Sequence, residues 1–520
     1  MSASAQPAST DQGDIAALAK GGRTNFLGFL LRLAGMLPFL FIAGRLYGPA
    51  ALGRYASALV VVEIVGLICS MGEKRGLAQR LTEDPDRHPA NVVFDGVLVA
   101  TLTGLTAAAF FWLVPAPMFP SGEYTRLDQL IVLAIPMYAL TEIVLAAQAY
   151  RFDIGTTVRA RAIVLPWTLS ILAGVLWFVV PESGLSLAYL GSTFAGLATG
   201  LFSFLRTYGL PKAWRPRPRA MARLTARALP LATADAIEWG TRRLDIFILG
   251  LFAAPSAVGV YYVAQQVASL PQKLKTSFEP ILGPVITRNL KDKNYDAIAR
   301  QVCQVGFWII AAQAGIALAL GIPGEAVMGL VGPQFVGGTA ALAFLLSAEV
   351  VAATAVVSEA ALIYVARVRN LMISVATIAL QAMLTVAGMV AAQRLDLPET
   401  WKAAGAAAAL MLALAMASLV KSIVLGRILK KRINNWRWAL VIAAAPAIAV
   451  GWLATKLPEW AELAIGIPAI LLAYGWVIWR YGFGPEDRVL FRRNLEHAED
   501  EMVAEVEQAT GAPVTEGKNP

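Results

Sequence analysis

Apolar segments about twenty residues long recur along most of the chain, and no other feature constrains its fold as strongly. An α-helix rises about 1.5 Å per residue, so about 20 apolar residues cross the ~30 Å hydrocarbon core of a bilayer. Apolar and aromatic residues (AVILMFWYC) make up 57% of the 520 residues, and charged residues make up 15%. Ordinary soluble domains carry about 25% charged residues. The pattern predicts an all-α polytopic membrane protein.

Segments long and apolar enough to span a bilayer can be placed at fourteen positions. The eighth ends at Pro271, and the tenth is long enough to include a turn outside the membrane. The predicted spans are about 25–44, 50–71, 91–114, 127–150, 160–180, 186–205, 229–252, 256–271, 298–321, 336–365, 370–393, 401–425, 437–455 and 461–480.

The distribution of lysine and arginine predicts the orientation of these spans, because cytoplasmic loops retain such residues. With the N-terminus in the cytoplasm, 35 of the 44 basic residues fall in the cytoplasmic loops and tails and six on the other side. The remaining three lie within spans. Both termini are therefore expected to be cytoplasmic. The basic linker that follows the sixth span is expected to face anionic lipid rather than nucleic acid.

A shift of 206 residues brings two halves of the chain into register. Seven identities occur within seventeen positions, at the turn between the first two spans of each half. The offset covers six spans, an even number, which predicts parallel repeats related by an axis along the membrane normal. The matching pairs are Ile42 with Ile248, Gly44 with Gly250, Pro49 with Pro255, Ala51 with Ala257, Gly53 with Gly259, Tyr55 with Tyr261 and Ala58 with Ala264.

The repeat predicts two pseudo-symmetric six-helix lobes followed by two additional helices. Transporters built from such repeats place the substrate path between the lobes and alternate its access by rocking. The predicted division is a cytoplasmic tail at 1–23, a lobe at 24–206, a basic cytoplasmic linker at 207–228, a second lobe at 229–425, two further helices at 437–480 and a partly disordered cytoplasmic tail at 481–520.

The loops offer little room for catalysis. Each predicted outer loop is about a dozen residues at most, and the chain has no phosphate-binding Gly-x-x-x-x-Gly-Lys-Ser/Thr loop, no Gly-x-Ser-x-Gly elbow and no His-Glu-x-x-His pair. The sequence therefore predicts a secondary transporter with no catalytic residues, no metal site and no cofactor, rather than an enzyme.

Three stretches resemble a known family of transporters: Gly44 to Leu81 (first and second spans), Leu270–Leu290 (eighth span) and Leu330–Leu342 (tenth span). They are similar to the corresponding regions of Wzx-type polysaccharide flippases. These belong to the multidrug/oligosaccharidyl-lipid/polysaccharide exporter superfamily, which also contains lipid II flippases and MATE drug exporters. The resemblance covers about residues 22–485, and fourteen spans fit the larger members.

This resemblance implies a function and a location. It implies that the chain flips an undecaprenyl-pyrophosphate-linked oligosaccharide from the cytoplasmic to the outer leaflet of the bacterial inner membrane, for lipopolysaccharide, capsule or exopolysaccharide synthesis. The implied fold is two lobes in a V around a polar cavity lined by spans 1 and 7. The implied partners are the lipid-linked oligosaccharide and membrane lipids, with glycan polymerase or export machinery as a further candidate.

Charged residues concentrate in the seventh span, where an ionised side chain costs about 2.5–3.5 kcal/mol on insertion scales. Asp235, Glu238, Arg242 and Asp245 share one helical stripe, and Arg243 lies beside it. Span 1 contributes Arg32, which the offset relates to Glu238, and Asn25 on the same face.

We expect Arg32, Arg242 and Arg243 to attract the pyrophosphate head group, because guanidinium groups bind phosphate in a fork. Asp235, Glu238 and Asp245 are expected to compete for these arginines or to bind a coupling H⁺ or Na⁺. The alternative is a closed ion-pair network that holds span 7 in its lobe. Glu63 and Glu142, each a single acid within a span, are weaker candidates, as is Asn25.

Other functions fit the same pattern. A lipid II flippase shares the fourteen spans, a MATE-like exporter shares the repeat, and a non-transporting scaffold of a glycan-synthesis complex shares the membrane topology. Basic residues in the expected cavity disfavour a cationic drug as substrate. Neutral replacement of the span 7 charges distinguishes a transporter, which stops, from a scaffold, which does not.

Overall fold

The computed structural model describes residues 34–83, 87–151, 153–212, 243–271 and 294–484, with short pieces between them. Regular secondary structure within these residues is helical throughout. The first half contains α1 (34–47, ending in the π-helical turn Ala43–Tyr47), α2 (Gly48–Cys69), α3 (Glu73–Glu83), α4 (Pro89–Leu113), α5 (Arg126–Tyr150), α6 (Ile154–Trp177) and α7 (Gly184–Tyr208). The second half contains α8 (Leu244–Phe252), α9 (255–271), α10 (Tyr295–Gly321), α11 (Gly324–Val331), α12 (Thr339–Val365), α13 (Arg367–Arg394), α14 (Glu399–Leu429), α15 (Ala439–Ala454) and α16 (Glu459–Gly482).

These helices account for the predicted spans. In the described part of the chain, ten continuous helical segments are long and apolar enough to cross a membrane, and one of them, Ala34–Cys69, joins α1 and α2 and so covers two predicted spans. The shorter α9 and α15 coincide with the eighth and thirteenth, and α8 covers the last nine residues of the seventh. Each of the fourteen predicted spans has a helix, and the chain is an all-α, multi-pass membrane protein.

The turn between α1 and α2 depends on a glycine followed by a proline. Gly48 has φ +78° and ψ 177°, a backbone conformation that glycine adopts without steric cost. Pro49 occupies the first turn of α2, where its missing N–H removes no intrahelical hydrogen bond. In the second repeat, residues 253–254 separate α8 from α9, and Pro255 begins α9. The turns predicted from the repeat are confirmed.

One compact unit of the chain comprises Met1–Ser269, Gly324–Ala348 and Met372–Met416. Within it, α2 crosses α9 at two glycines that the 206-residue offset relates. A Cβ atom on Gly53 would lie 1.7 Å from the carbonyl oxygen of Pro255, and one on Gly259 would lie 2.0 Å from that of Pro49. The contact is reciprocal, as a two-fold axis between the repeats requires. Small residues permit such close backbone approach between membrane helices.

A second reciprocal contact in this unit involves the ends of α1 and α8. A Cβ atom on Gly44 would lie 2.2 Å from a methyl group of Val331, in the segment before the tenth span. A Cβ atom on the equivalent Gly250 would lie 3.1 Å from the hydroxyl oxygen of Ser57 in α2 and 3.8 Å from Pro120, in the segment before the fourth span. Since six spans separate the fourth from the tenth, each repeat packs its first helix against the same segment of the other. These contacts give the sequence repeat a structural counterpart.

The other compact unit comprises Leu270–Pro323, Glu349–Leu371 and Ala417–Pro520. Its core is an apolar cluster that includes the fully buried Phe307 of α10. The Arg437 guanidinium lies 4.1 Å from the centre of the Phe307 ring and donates a 2.6 Å hydrogen bond to the carbonyl oxygen of Gly482. Arg437, just before α15, therefore contacts both α10 and the end of α16.

Two basic residues counted with the cytoplasmic loops, Arg161 and Lys421, each form an ion pair with an acid of a neighbouring helix. Arg161 is in α6, and Lys421 is a buried residue of α14 whose Nζ lies 3.0 Å from a carboxylate oxygen of Glu359. The positive-inside rule counts charges near span ends and does not detect that an acid of another helix neutralises a cation.

Several predictions fall on other parts of the chain. The N-terminal tail, most of the linker 207–228 and the C-terminal tail beyond residue 484, with its expected disorder, lie outside the described residues. The division into two six-helix lobes and two further helices stays a prediction.

Candidate functional site

The predicted acid Asp245 lies in the first turn of α8 and is fully buried. Its carboxylate accepts a hydrogen bond from the hydroxyl of Tyr261 in α9 and another, at 2.9 Å, from the backbone N–H of Ile246. A buried carboxylate needs such donors, because the bilayer interior supplies no water to replace them.

A glutamine connects this carboxylate to the predicted cation. The side-chain N–H of Gln265 in α9 points at both carboxylate oxygens of Asp245, at 3.3 and 3.4 Å. The oxygen of the same amide accepts a 2.7 Å hydrogen bond from the Arg243 guanidinium. That guanidinium also lies 5.8 Å from the centre of the Trp239 ring. Arg243 and Asp245 are thus joined through Gln265, with no direct ion pair between them in the described structure.

Arg243 reaches this position because the seventh span is interrupted. It is the N-cap residue of α8, with φ −130° and ψ −6°, and its N–H bonds to the carbonyl oxygen of Gly240 at 3.0 Å. The prediction of an unbroken helix over 229–252 was therefore wrong at Arg243. Glycine is a poor residue for a helix interior, and Gly240 lies at this break.

Tyrosines extend the site towards the first repeat. The rings of Tyr55 in α2 and Tyr262 in α9 meet edge to face, 6.2 Å apart, and Tyr189 in α7 lies 6.0 Å from Tyr55. The hydroxyl of Tyr189 donates a 3.4 Å hydrogen bond to Glu63. Both Tyr55 and Tyr262 lie within electrostatic range of Glu63 and of Arg243. We call the eight residues the polar cluster: Tyr55, Glu63, Tyr189, Arg243, Asp245, Tyr261, Tyr262 and Gln265.

The repeat shows that the fold does not require these polar groups. By the 206-residue offset, Arg243, Asp245 and Gln265 correspond to Leu37, Phe39 and Leu59 of the first repeat, all apolar. Phe39 packs on Tyr55 with ring centres 5.8 Å apart, at the position where Asp245 accepts from Tyr261 in the second repeat. An aromatic contact therefore joins α1 and α2 where a carboxylate–hydroxyl hydrogen bond joins α8 and α9. The charged version in the second repeat needs an explanation other than packing.

The described structure brings together three of the predicted site residues, Arg243, Asp245 and Glu63. The carboxylate of Glu142 in α5 pairs instead with the guanidinium of Arg161 in α6. We interpret this pair as structural, and a transport role for Glu142 stays a prediction. The other predicted residues lie outside the described residues: Asn25, Arg32, Asp235, Glu238 and Arg242.

Sequence reasoning missed the tyrosines and the glutamine of the polar cluster. One signal was available, since Tyr55 and Tyr261 are an identical pair in the repeat. A tyrosine inside a span carries a hydroxyl that needs a partner. Gln265 has no such signal, because its role depends on the break before α8 that brings Arg243 to it.

The polar cluster lies in a part of the chain that matches a known protein family. Residues 42–316 match the model of a family described as "Polysaccharide biosynthesis protein". No curated protein sequence matches the chain. The matched range includes the reciprocal contacts of α2 with α9 and all residues of the polar cluster.

Solved structures share the fold at low sequence identity. The lipid II flippase MurJ, in an inward closed conformation, superposes with a TM-score of 0.66 at 11% identity, over 91% of this chain and 99% of that one. An inward-facing multidrug resistance MATE family transporter of the MOP superfamily gives 0.64 at 12% identity, over 77% and 95%. A MOP superfamily transporter from Pyrococcus furiosus gives 0.55 at 14% identity, over 80% and 96%. The chain therefore has the fold of these proteins.

Proposed function

The chain belongs to the polysaccharide biosynthesis protein family, and from this premise we propose that it is a secondary transporter of a lipid-linked glycan. It flips an undecaprenyl-pyrophosphate-linked oligosaccharide from the cytoplasmic to the outer leaflet of the bacterial inner membrane, with both termini in the cytoplasm. The product feeds lipopolysaccharide, capsule or exopolysaccharide synthesis, and glycan polymerase or export machinery is the proposed downstream partner.

The observation that carries the proposal is the network of Arg243, Gln265 and Asp245. It lies within the matched range of the family and replaces three apolar residues of the other repeat. A charge in a membrane-spanning segment is costly and usually serves a transported group, a coupling ion or a partner charge. Because the repeat shows that the helix crossing forms without these charges, transport is the better explanation.

We propose different roles for the two charged side chains. Within the described residues, Arg243 donates one hydrogen bond, to Gln265, and a guanidinium has five N–H donors suited to pyrophosphate oxygens. Arg32 and Arg242 are proposed to share this role. Asp245, held by Tyr261 and Gln265, is proposed to take up the coupling ion, H⁺ or Na⁺, together with Asp235 and Glu238. Occupation of the carboxylate weakens its hold on Gln265 and so changes the position of Arg243.

The test is the sidedness of the lipid-linked glycan in cells depleted of this protein. Intact spheroplasts and lysed cells are treated with an impermeant sugar-modifying reagent, and the labelled fractions of the glycan lipid are compared. Depletion is expected to leave unlabelled, cytoplasm-facing glycan lipid, and wild-type protein is expected to restore labelling.

Unchanged labelling without accumulation would contradict the flippase proposal and favour a small-molecule exporter or a scaffold. Accumulation of lipid II in place of another glycan lipid would identify the protein as a lipid II flippase, a function compatible with the shared fold. The same assay on the variants described below connects the function to the polar cluster.

A further inference from the structure

A shallow, open surface cavity of about 410 Å³ lies on the second compact unit, where α12 turns into α13. A single residue, Ala366, separates the two helices. The cavity is lined by Ala366, Val365, Val368 and, from the last turn of α14, Ile428, and two arginines, Arg367 and Arg369, stand at it. The site combines an apolar wall with two guanidinium groups.

These arginines are exposed and, among the described residues, have no acidic partner. No carboxylate lines the cavity, and neither Arg367 nor Arg369 forms an ion pair within the described part of the chain. By contrast, Lys421, nearly two turns before Ile428 along α14, is buried and paired with Glu359. Charges deeper in this unit are neutralised by the protein, whereas those at the cavity face outward.

The surroundings place the cavity at the boundary of the bilayer. Helix α13 has 28 residues, about 42 Å at 1.5 Å per residue, and therefore extends beyond a hydrocarbon core of ~30 Å. Val368 is 71% exposed and Leu371 48% exposed, so lipid-facing apolar surface begins beside the arginines. The sequence predicts this end of α13 to be cytoplasmic.

We propose that this cavity binds one anionic phospholipid of the cytoplasmic leaflet. The phosphate lies between the guanidinium groups of Arg367 and Arg369, which match it in charge and in donor geometry. The glycerol backbone and the first acyl carbons lie against Val365, Val368 and Ile428, and the chains continue along the exposed face of α13. Two exposed cations, Arg427 and Lys430 of α14 and the turn after it, add to the positive potential.

The experiment is native mass spectrometry of the delipidated full-length chain, titrated with phosphatidylglycerol or phosphatidylcholine. We expect one tightly bound phosphatidylglycerol per chain and weaker binding of phosphatidylcholine, whose net charge is zero. The double variant R367Q/R369Q is expected to weaken phosphatidylglycerol binding roughly 30-fold, from the effect of two basic groups near a membrane surface. R367K/R369K, which keeps the charge, is expected to retain most of the affinity.

The matched control is R394Q, at the opposite end of the same helix, where the arginine is also exposed. It is expected to bind phosphatidylglycerol as the wild type does. Equal affinity in R367Q/R369Q and wild type, or an equal loss in R394Q, would overturn the proposal, as would equal binding of the two lipids.

Two competitors identify the source of the phosphate. Excess inorganic phosphate is expected not to displace the lipid, because it makes no contact with the apolar wall; displacement would assign the cavity to a soluble phosphate. Undecaprenyl pyrophosphate is expected to compete weakly, and preferential binding of it would assign the cavity to the carrier lipid instead. Circular dichroism of R367Q/R369Q that matches wild type shows that the variant folds.

Discussion

Within the polar cluster, Asp245 is the side chain whose replacement by an amide is most informative. Asp245 is fully buried and accepts from Tyr261, Gln265 and a backbone N–H. An uncharged amide of the same size retains an acceptor oxygen but places an N–H where a second acceptor stood. One buried donor is then left without a partner, which costs about 1–3 kcal/mol.

We therefore predict that D245N lowers transport at least about tenfold while the protein still inserts, because an amide carries no charge with which to bind a cation. The measurement is the spheroplast labelling assay in depleted cells that express the variant. D296N is the control, since Asp296 is exposed and its partner, Lys431, is exposed as well. Normal transport by D245N would remove Asp245 from the coupling role.

Glu142 calls for the opposite prediction, because its partner Arg161 neutralises it within the lobe. E142A is expected to lower the melting temperature in detergent and leave transport per folded molecule unchanged. Removing one member of a buried ion pair costs about 3–5 kcal/mol, and the partial exposure of Arg161 places this case at or below the lower end. E142L/R161L is expected to recover part of the stability. A transport defect in folded E142A would make Glu142 a transport residue.

At the scale of helices, the crossing of α2 and α9 is the contact with the least tolerance for change. Gly53 and Gly259 bring each backbone against a carbonyl oxygen of the other helix. The end of α1 is fixed nearby, since Arg45 donates to the carbonyl oxygen of Leu330 at 3.0 and 3.2 Å and Gln334 donates to that of Gly44 at 3.0 Å. Separation of the repeats at this end has to break all of these contacts together.

The prediction for this crossing is that G53A and G259A each destabilise the contact by about 1–3 kcal/mol, the usual range for overpacking. A pair of cysteines introduced on α2 and α9 at this crossing is then expected to cross-link less efficiently in G53A or G259A than in a chain that keeps both glycines. G388A is the control, because a Cβ on Gly388 of α13 meets nothing within 4 Å, and it is expected to be neutral or to stabilise the helix by up to about 1 kcal/mol. Unchanged cross-linking in G53A would show that the helices separate without cost.

Helix positions could be predicted from the sequence far better than helix interruptions. Hydropathy located α4, α7 and α13 to within a few residues, because length and apolar content decide whether a segment can span a bilayer. It missed the break at Arg243, because the apolar content that identifies a span carries no information on where a helix is interrupted within it. The repeat identified Gly53 and Gly259 as equivalent residues but did not predict that α2 and α9 meet at them.

Over the whole molecule, the two repeats share some contacts and differ in others. The glycine crossing and the packing of α1 and α8 occur in both halves. The network around Asp245 occurs in the second half, and its counterpart in the first is apolar. The candidate site was predicted in part for the same reason: charges within spans identify Arg243 and Asp245 from sequence, but only the fold brings Glu63 to the same cluster.

One repeat has a phenylalanine, Phe39, against Tyr55, and the other has an aspartate, Asp245, against Tyr261. This difference affects how such a chain can diversify. A molecule made of two copies of one unit carries every position in duplicate, so one copy can preserve the architecture while the other changes. The second half is then the part in which a new cargo or a new driving ion can be acquired by substitution. Placing the first-half residues Leu37, Phe39 and Leu59 at the equivalent second-half positions is then expected to keep the helices and abolish transport.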